Sequence, residues 1–268
     1  MKVLVTFALE NEFAPWRERH EFRAKQRNES DPANVIVEGP ETYSTEIKGT
    51  QVEVVLTGAG PKPASATIAR IAHAGGIDYC VTSGLAGSLR PQYRIGEILT
   101  AREVCAGSIE SASRGDTLRC SEALLSFAVE CGARRVDTFH TAGRVISKAA
   151  EKEQLGKSAD AVEMESYVIM DEARRRGIPA IAVRAISDSA DEDLPFDMNG
   201  IFTDEGRISM PLVLAQMAKH PQSIAAVMKL GQSAKAAATA LAGFLDRYIE
   251  RLAAASGALE GNAKSAGE

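Results

Sequence analysis

The chain has 268 residues, of which 45% are hydrophobic and 25% charged, a composition typical of globular proteins with a substantial core. Its net charge of -5 argues against nucleic acid or an anionic membrane surface as the main partner. The four cysteines show no CxxC spacing and the four histidines are far apart, so no metal site and no cofactor is predicted. No window approaches the ~20 apolar residues of a membrane span, and a cytoplasmic location with reduced thiols is expected.

Strands and helices alternate along the first half of the chain. Residues 2–8 are predicted to form a buried strand. A helix that contains Trp16 follows, and residues 17–34 are heavily charged. The other elements predicted here are strands at 42–48 and 51–56 with a hairpin turn at Gly49-Thr50, a helix at 64–74, strands at 78–83 and 96–101, and a polar, turn-like segment at 106–119.

The second half continues this alternation and ends in a long helix. The predicted elements are a helix at 121–131, strands at 135–141 and 161–162, helices at 148–155 and 166–176, a strand from Ile181, and helices at 210–219 and from 223 to about 255. One face of the last helix carries six side chains that are expected to pack on the core: Leu241, Phe244, Leu245, Tyr248, Ile249 and Leu252.

The order of the elements indicates an α/β fold, with a mixed, largely parallel central sheet flanked by helices. No linker or internal repeat divides the chain, so a single domain over residues 1–255 is expected. Residues 256–268 are rich in Ala, Gly, Ser and Glu, and they are expected to form a disordered tail.

The strand from Ile181 has an unusual composition. Its apolar run is broken only by Arg184, and it turns polar at Ser187-Asp188. Open α/β sheets place their ligand sites at the carboxyl ends of strands, which favours a functional role for this polar end. A turn cap is the commoner local explanation of Ser187 and Asp188.

Acidic residues follow three of the predicted strands, and in a parallel sheet they would meet at one edge. They are Glu10 and Glu12, Glu163 and Glu165, and Asp188. Interaction with a helix dipole, worth about 0.3–1 kcal/mol, would explain Glu163 alone. It does not explain the apolar Met164 between two glutamates. Nor does it explain Arg184 inside a buried strand, since a buried guanidinium needs an acidic partner.

Two glycine-containing segments also follow strands. Thr57-Gly58-Ala59-Gly60-Pro61 opens a predicted helix, and such a turn can hold an anion with its free amides. Alone the signal is weak, because the segment lacks both GxGxxG and GxxxxGK[ST]. Residues 84–88, Gly-Leu-Ala-Gly-Ser, are predicted to form a second loop of small residues.

The segment Ala161-Val162-Glu163-Met164-Glu165, followed by residues 183–191, VRAISDSAD, resembles the paired signature of the nucleoside phosphorylase/nucleosidase superfamily. Within it, the chain is more similar to the methylthioadenosine/S-adenosylhomocysteine nucleosidase-type enzymes. Residues 1–12 are similar to the N-terminal strand and acidic turn of that group, and the two glycine segments occupy the places of its glycine loops. The resemblance covers residues 1 to about 200, with gaps.

The resemblance implies cleavage of the N-glycosidic bond between a purine and a ribose. It assigns Asp188 as the general acid at N7 of the base. Glu165 would bind the ribose hydroxyls as a charged acceptor, with Met164 against the sugar, and Glu12, helped by Arg184, would orient or deprotonate the attacking water. The other implied substrate-binding residues are Ser187 beside the acid, Val145 and Ile146 at the base, and Phe196 at the 5′ side of a pocket in the same or a neighbouring subunit.

Water and phosphate are the two possible nucleophiles. Phosphorolytic members of the superfamily carry one arginine in an early Gly-Asp-Pro-like loop and another just before the second glycine loop. Here the first region reads Ala8-Leu9-Glu10-Asn11-Glu12, and the second reads Val81-Thr82-Ser83. Neither arginine is present and Glu12 would repel phosphate, so hydrolysis of a 5′-substituted adenosine, of the methylthioadenosine or S-adenosylhomocysteine type, is favoured.

Three alternatives stay open. One is a phosphate-dependent nucleoside phosphorylase. A second is a hopanoid-associated adenosyl nucleosidase or phosphorylase, which residues 203–207 and the two C-terminal helices resemble. The third is a catalytically silent nucleoside-binding protein, suggested by Leu85 near the water site and by the lack of an aromatic residue at Val145. The resemblance also implies a homodimer or higher homo-oligomer.

Overall fold

The computed structural model describes residues 1–24, 41–71, 76–107 and 116–265, with the backbone alone for residues 70, 71 and 257–265. Parts of the predicted charged segment 17–34, the helix 64–74, the polar segment 106–119 and the tail 256–268 lie outside the described residues. Within these ranges no helix is both long and apolar enough to cross a membrane.

The described residues form one sheet of eleven strands with seven α-helices. The strands are β1 (Lys2–Phe7), β2 (Arg23–Ala24), β3 (Thr42–Ile47), β4 (Thr50–Leu56), β5 (Tyr79–Thr82), β6 (Leu85–Ser88), β7 (Ile98–Ala106), β8 (Thr117–Arg119), β9 (Arg134–Thr141), β10 (Ala161–Glu163) and β11 (Ala180–Asp188). The helices are α1 (Glu10–Arg17), α2 (Pro61–Ile71), α3 (Glu122–Glu130), α4 (Ala149–Leu155), α5 (Ser166–Arg175), α6 (Met210–Lys219) and α7 (Ile224–Ser265), with 3₁₀ turns at Met198–Ile201 and Pro221–Ser223.

The sheet is mixed, as predicted, and its strand order is β2-β3-β4-β1-β5-β11-β6-β10-β9-β7-β8. Strand β1 pairs in parallel with β4 and β5, and β11 pairs in parallel with β5 and β6. An additional antiparallel pairing of β11 with β7 closes β11, β6, β10, β9 and β7 into a ring. Strand β11 therefore lies at the centre of the fold, where the open sheet joins the ring.

The burial of β11 and α7 follows from their sequences. Residues Ala180 to Ser187 of β11 are all buried, as expected of a strand covered on both faces. The six apolar side chains predicted on one face of α7 are each at most 1% exposed. They belong to the main core, and α7 packs against both β11 and α1. The prediction of a core-facing stripe on the last helix is confirmed.

Several local predictions differ from the structure. Residues 85–88 form strand β6 rather than a loop, because β10 and β11 supply backbone partners on both of its sides. The hairpin turn lies at Lys48-Gly49, both of which have positive φ, instead of at Gly49-Thr50. The end of α7 predicted near residue 255 was wrong, since the helix continues to Ser265 within the stretch predicted as a tail.

Candidate active site

Strand β6 brings two of the predicted carboxylates to its two ends. Gly84 precedes β6, and a Cβ atom on it would lie 3.1 Å from a carboxylate oxygen of Glu12. Gly87 lies near the other end, where a Cβ atom would lie 2.9 Å from Oδ2 of Asp188. Both positions need a residue without a side chain for the carboxylates to approach the strand. Gly84 and Gly87 are three residues apart in an extended chain, so the contact with Glu12 and the contact with Asp188 lie roughly 10 Å apart.

Backbone amides on both sides hold the Glu12 carboxylate. Its Oε2 accepts hydrogen bonds from the amides of Ala8 (2.9 Å) and Leu9 (3.2 Å), and its Oε1 accepts one from Leu85 (3.2 Å). Glu12 is 7% exposed. Burial raises the pKa of the Glu12 carboxyl, although the Arg184 charge and the three amides act to lower it. A buried carboxyl with a raised pKa is suited to accept a proton near neutral pH.

Arg184 lies almost fully buried and is paired with Glu163. Its Nη2 is 2.7 Å from Oε2 of Glu163, and it also donates to the hydroxyls of Ser166 (2.7 Å) and Thr82 (3.2 Å). Its Nη1 donates to the carbonyl of Val183 (3.0 Å). The acidic partner that the sequence requires is therefore Glu163. Nε of Arg184 is buried and has no hydrogen-bond partner among the described residues.

Glu163 is held in its ionised form. It accepts hydrogen bonds from the Thr141 hydroxyl and from the amides of Glu165 (3.0 Å) and Ser166 (2.7 Å). Burial acts to raise its pKa, but the Arg184 guanidinium, the Thr141 hydroxyl and the two amides outweigh burial and hold the pKa of Glu163 below its usual value. Glu163 thus orients Arg184 and the start of α5.

The pKa of Glu165 is shifted upward, in the opposite direction to that of Glu163. Its Oε1 accepts a hydrogen bond from the amide of Gly60 (2.8 Å), while its Oε2 is 3.9 Å from Nη2 of Arg184. Burial, together with the negative charge of Glu163, raises the pKa of Glu165 to about 8. Near pH 7 this carboxyl is therefore expected to be mainly neutral, which differs from the charged acceptor that the resemblance implies. The neighbouring Met164 lies next to the glycine loop, with its Cε 3.6 Å from the Cβ position of Gly60.

A β-bulge sets the direction of Asp188. In the pairing of β11 with β6, Ile186 pairs with Ala86 and Asp188 pairs with Gly87, so Ser187 is the additional residue. Such bulges redirect a side chain, and they are over-represented next to active sites. The Ser187 hydroxyl lies 2.8 Å from Oδ1 of Asp188, and the hydrogen bond it donates there fixes that carboxylate oxygen. If Ser187 and Asp188 only capped a turn, neither the bulge nor this hydrogen bond would be needed.

The first glycine segment has no amide left for an anion. The amide of Gly58 donates to the carbonyl of Ala8 (3.0 Å), and that of Ala59 donates to the carbonyl of Gly206 (2.9 Å). The amide of Thr57 donates to the carbonyl of Phe7, and that of Gly60 donates to Glu165 (2.8 Å). The sequence suggested that these amides could bind an anion, but in the structure they are bound to groups of the protein itself.

The predicted base and 5′ residues lie on two segments joined by hydrogen bonds. The Asn199 side chain accepts a hydrogen bond from the amide of Val145 (2.8 Å) and donates one to its carbonyl (3.2 Å). Val145 is half-buried, whereas Ile146 is 3% exposed and packs in a small separate core with Leu89 and Leu155. Phe196 lies within the second segment and is 9% exposed.

Some residues of the site were not identified from the sequence. Lys152 contacts Asp188 at 2.5 Å, Thr141 contacts Glu163, and Gly84 and Gly87 admit the two carboxylates. Lys152 lies in the helix predicted at 148–155, which is rich in charge, and nothing in its local pattern marks it as buried. The glycines were visible as a loop of small residues, but their role depends on β6 pairing.

The comparisons with known proteins all point to one family. A family model described as the phosphorylase superfamily matches residues 2–250. The 5′-methylthioadenosine/S-adenosylhomocysteine nucleosidase of Geobacillus thermodenitrificans (strain NG80-2) is 23% identical over 237 residues, covering 81% of this chain and 96% of the relative.

Two solved structures from Helicobacter pylori share the fold, each at 18% identity. One is 5′-methylthioadenosine/S-adenosylhomocysteine nucleosidase with butyl-thio-DADMe-Immucillin-A, with a TM-score of 0.70 over 93% of this chain and 98% of that chain. The other is futalosine hydrolase of strain 26695, with a TM-score of 0.69 over 93% and 97% of the two chains. By its fold and by the match over residues 2–250, this chain belongs to the phosphorylase superfamily.

Proposed function

We propose that the chain is a purine nucleoside N-ribosyl hydrolase that cleaves the N-glycosidic bond of a 5′-substituted adenosine with water. The observation that carries the proposal is the position of Glu12, whose carboxylate binds the Leu85 amide at the start of β6 and the amides of Ala8 and Leu9. These three amides are bound to a carboxylate and are not free for a phosphate. A phosphate dianion would have to displace Glu12 and would be repelled by its charge.

The first glycine turn supports the same choice of nucleophile. Its four amides donate to Phe7, Ala8, Gly206 and Glu165, so none is directed at a ligand. The positions of the two phosphate-binding arginines are occupied by residues 8–12 and 81–83, which contain no arginine. Arg184, the buried cation of the cluster, is engaged by Glu163. Hydrolysis therefore fits the described residues better than phosphorolysis does.

In the proposed mechanism Asp188 and Glu12, at the two ends of β6, act as the acid and the base. Asp188 gives a proton to N7 of the purine as the bond to C1′ breaks, so that the base leaves as a neutral molecule. Positive charge develops on the ribose, and water attacks C1′ while Glu12 takes its proton. The charge of Arg184 stabilises the ionised form of Glu12, in which Glu12 can accept this proton. A separation of roughly 10 Å between the two contacts on β6 leaves room for sugar and water between an acid and a base.

The sugar and base contacts follow from the neighbouring segments. Glu165, as a carboxyl that can both donate and accept, binds the ribose hydroxyls, and Met164 packs against the sugar. Val145, with Ile146 behind it, contacts the base, and Phe196 lines the 5′ side. The named relatives act as methylthioadenosine/S-adenosylhomocysteine nucleosidase or futalosine hydrolase, which supports a 5′-substituted nucleoside as the substrate class. The homo-oligomeric state stays a prediction.

The test is a panel of 5′-substituted adenosines and inosines, assayed for free base with and without phosphate. We expect base release that is independent of phosphate and that falls at least about 100-fold in Asp188→Asn. Release that strictly requires phosphate would assign the chain as a phosphorylase. Thermal stabilisation by nucleosides without any base release would assign it as a binding protein.

A further inference from the structure

Lys152 on α4 has a fully buried side chain whose three N–H groups are all engaged. Its Nζ lies 2.5 Å from Oδ2 of Asp188, 2.7 Å from the carbonyl of Ser189 and 3.3 Å from the carbonyl of Glu192. The Lys152 side chain is 0% exposed and that of Asp188 is 17% exposed. The ion pair therefore has its cation in the interior and its carboxylate facing outward.

Burying an ammonium group is costly unless it is paired and fully hydrogen-bonded. At the same position an apolar side chain would pack without that cost, so stability alone does not explain a lysine. The two carbonyl contacts would suffice to attach the turn after β11 to α4. The shortest contact, however, goes to the Asp188 carboxylate. This contact is the one that a purely structural lysine would not need.

The two oxygens of Asp188 have different fixed partners. Ser187 donates to Oδ1 and Lys152 donates to Oδ2. With Gly87 close against Oδ2 on β6, the carboxylate is held in one orientation. Lys152 therefore acts on the direction of Asp188.

We propose that Lys152 is a positioning residue of the reaction: it holds the carboxyl of Asp188 in the direction of the leaving base. This inference rests on the proposed function. Lys152 itself does not touch the substrate and acts through Asp188. Without the ammonium, Oδ2 of Asp188 would lose its hydrogen-bond partner and the carboxyl would lose its fixed direction.

The other charged side chains near Asp188 that the structure shows in ion pairs have partners other than Asp188. Strand β6 presents Gly87 to the carboxylate, and the apolar Val162 of β10 lies 3.3 Å from the Cβ position of Gly87. Three ion pairs near α4 and the turn after β11 are exposed: Arg144 with Glu151, Lys148 with Asp193, and Lys229 with Glu192. Among the described residues, Lys152 is the cation in contact with Asp188.

The experiment compares Lys152→Met and Lys152→Gln with the wild-type enzyme. Both variants remove the charge, and Gln can still donate a hydrogen bond. We expect kcat at neutral pH to fall by about 10- to 100-fold in both, with little change in KM, because the acid is misdirected. A purely structural lysine would instead lower the amount of folded enzyme and leave kcat per folded molecule unchanged.

Lys148→Met is the matched control, since it breaks an exposed lysine–carboxylate pair at the start of the same helix. It should leave both kcat and KM unchanged. Wild-type kcat in the Lys152 variants, or a loss of activity that appears only in KM, would overturn the inference. Failure of the wild-type chain to release base would instead remove the proposed function itself.

A measurement on the wild-type protein covers the case in which the variants do not fold. A crystal structure with bound adenine shows where the Asp188 carboxyl lies when a base is present. We expect Nζ of Lys152 to remain in contact with Asp188 while the carboxyl faces N7 of the base. A carboxyl that faces the base only after leaving Lys152 would contradict the role given to Lys152.

Discussion

Nη2 of Arg184 lies 2.7 Å from a carboxylate oxygen of Glu163, and both side chains are at most 1% exposed. The same nitrogen lies 3.9 Å from Glu165, so one buried cation is shared unequally by two glutamates. Glu163 is ionised and structural, whereas the pKa of Glu165 is raised to about 8 by burial and by the charge of Glu163. Two chemically identical side chains, separated by Met164, thus have different tasks.

The first prediction compares Glu163→Gln with Glu165→Gln. Removing the charge of Glu163 leaves Arg184 without its ionised partner, which should lower the free energy of unfolding by about 3 kcal/mol. Glu165→Gln removes a carboxyl that the folded chain holds in its protonated form, so it should not lower the free energy of unfolding at pH 7, while base release falls sharply. Chemical denaturation and the base-release assay measure the two effects. Equal loss of stability in the two variants would contradict the division of tasks.

The second prediction concerns stability against pH. Below the ordinary value of 4.5, Glu165 is protonated in both the folded and the unfolded chain. Between 4.5 and about 8 the unfolded chain has lost this proton while the folded chain retains it, so the stability contributed by Glu165 falls as pH rises. Glu163, whose folded pKa is lowered, contributes stability that is present above 4.5 and lost as pH falls below it.

Thermal unfolding across this window measures the effect. Glu165→Gln should show a shallower fall of Tm with rising pH than the wild type, and part of the fall should remain because burial also raises the pKa of Glu12. Glu46→Gln on β3 is the control, since Glu46 is exposed. An identical pH dependence in Glu165→Gln and wild type would show that Glu165 does not hold its proton in the folded chain.

The third prediction concerns the proposed base. Glu12→Gln places an amide NH₂ where two carboxylate oxygens now accept from Ala8, Leu9 and Leu85, so one donor would face another. We expect kcat to fall by about 10²- to 10⁴-fold with a smaller change in KM. Glu10→Gln is the control on the same helix, because Glu10 is 41% exposed and paired with Arg17. Near-normal kcat in Glu12→Gln would exclude Glu12 as the base.

The sequence predicted those parts of the site that depend on strand ends. The polar end of β11, the acidic turn after β1 and the two glutamates around Met164 were identified because parallel strands bring their carboxyl ends together. The sequence also predicted that Arg184 needs an acidic partner, since a buried charge must be neutralised. These arguments use only the order of elements and the cost of burial.

The remaining features depend on pairings between distant segments. The choice of Glu163 over Glu165 as the partner of Arg184 is decided by distances of 2.7 and 3.9 Å that no local pattern encodes. The burial of Lys152 depends on how α4 lies against the end of β11. The bulge at Ser187 appears only when β6 is recognised as a strand rather than a loop. Sequence periodicity does not carry this information.

The fourth prediction tests the close approach of Asp188 to β6. In Gly87→Ala the new Cβ would lie 2.9 Å from Oδ2 of Asp188 and 3.3 Å from Cγ1 of Val162. Gly87 does not have a positive φ, so the backbone itself tolerates alanine. Because Lys152 and Ser187 hold the carboxylate from its other sides, the contact should displace the acid. A displacement of this kind lowers kcat by about 10- to 100-fold with only a small loss of thermal stability.

The matched control for this change is Gly143→Ala, where no atom lies within 4 Å of the new Cβ and φ is not positive. This variant should keep the wild-type kcat and Tm. If Gly87→Ala also retains full activity, Asp188 must reach the base from a different orientation than the one held by Ser187 and Lys152. A large loss of Tm in Gly87→Ala would instead show that the contact supports the packing of β6 on β11, and a crystal structure of the variant would separate the two effects.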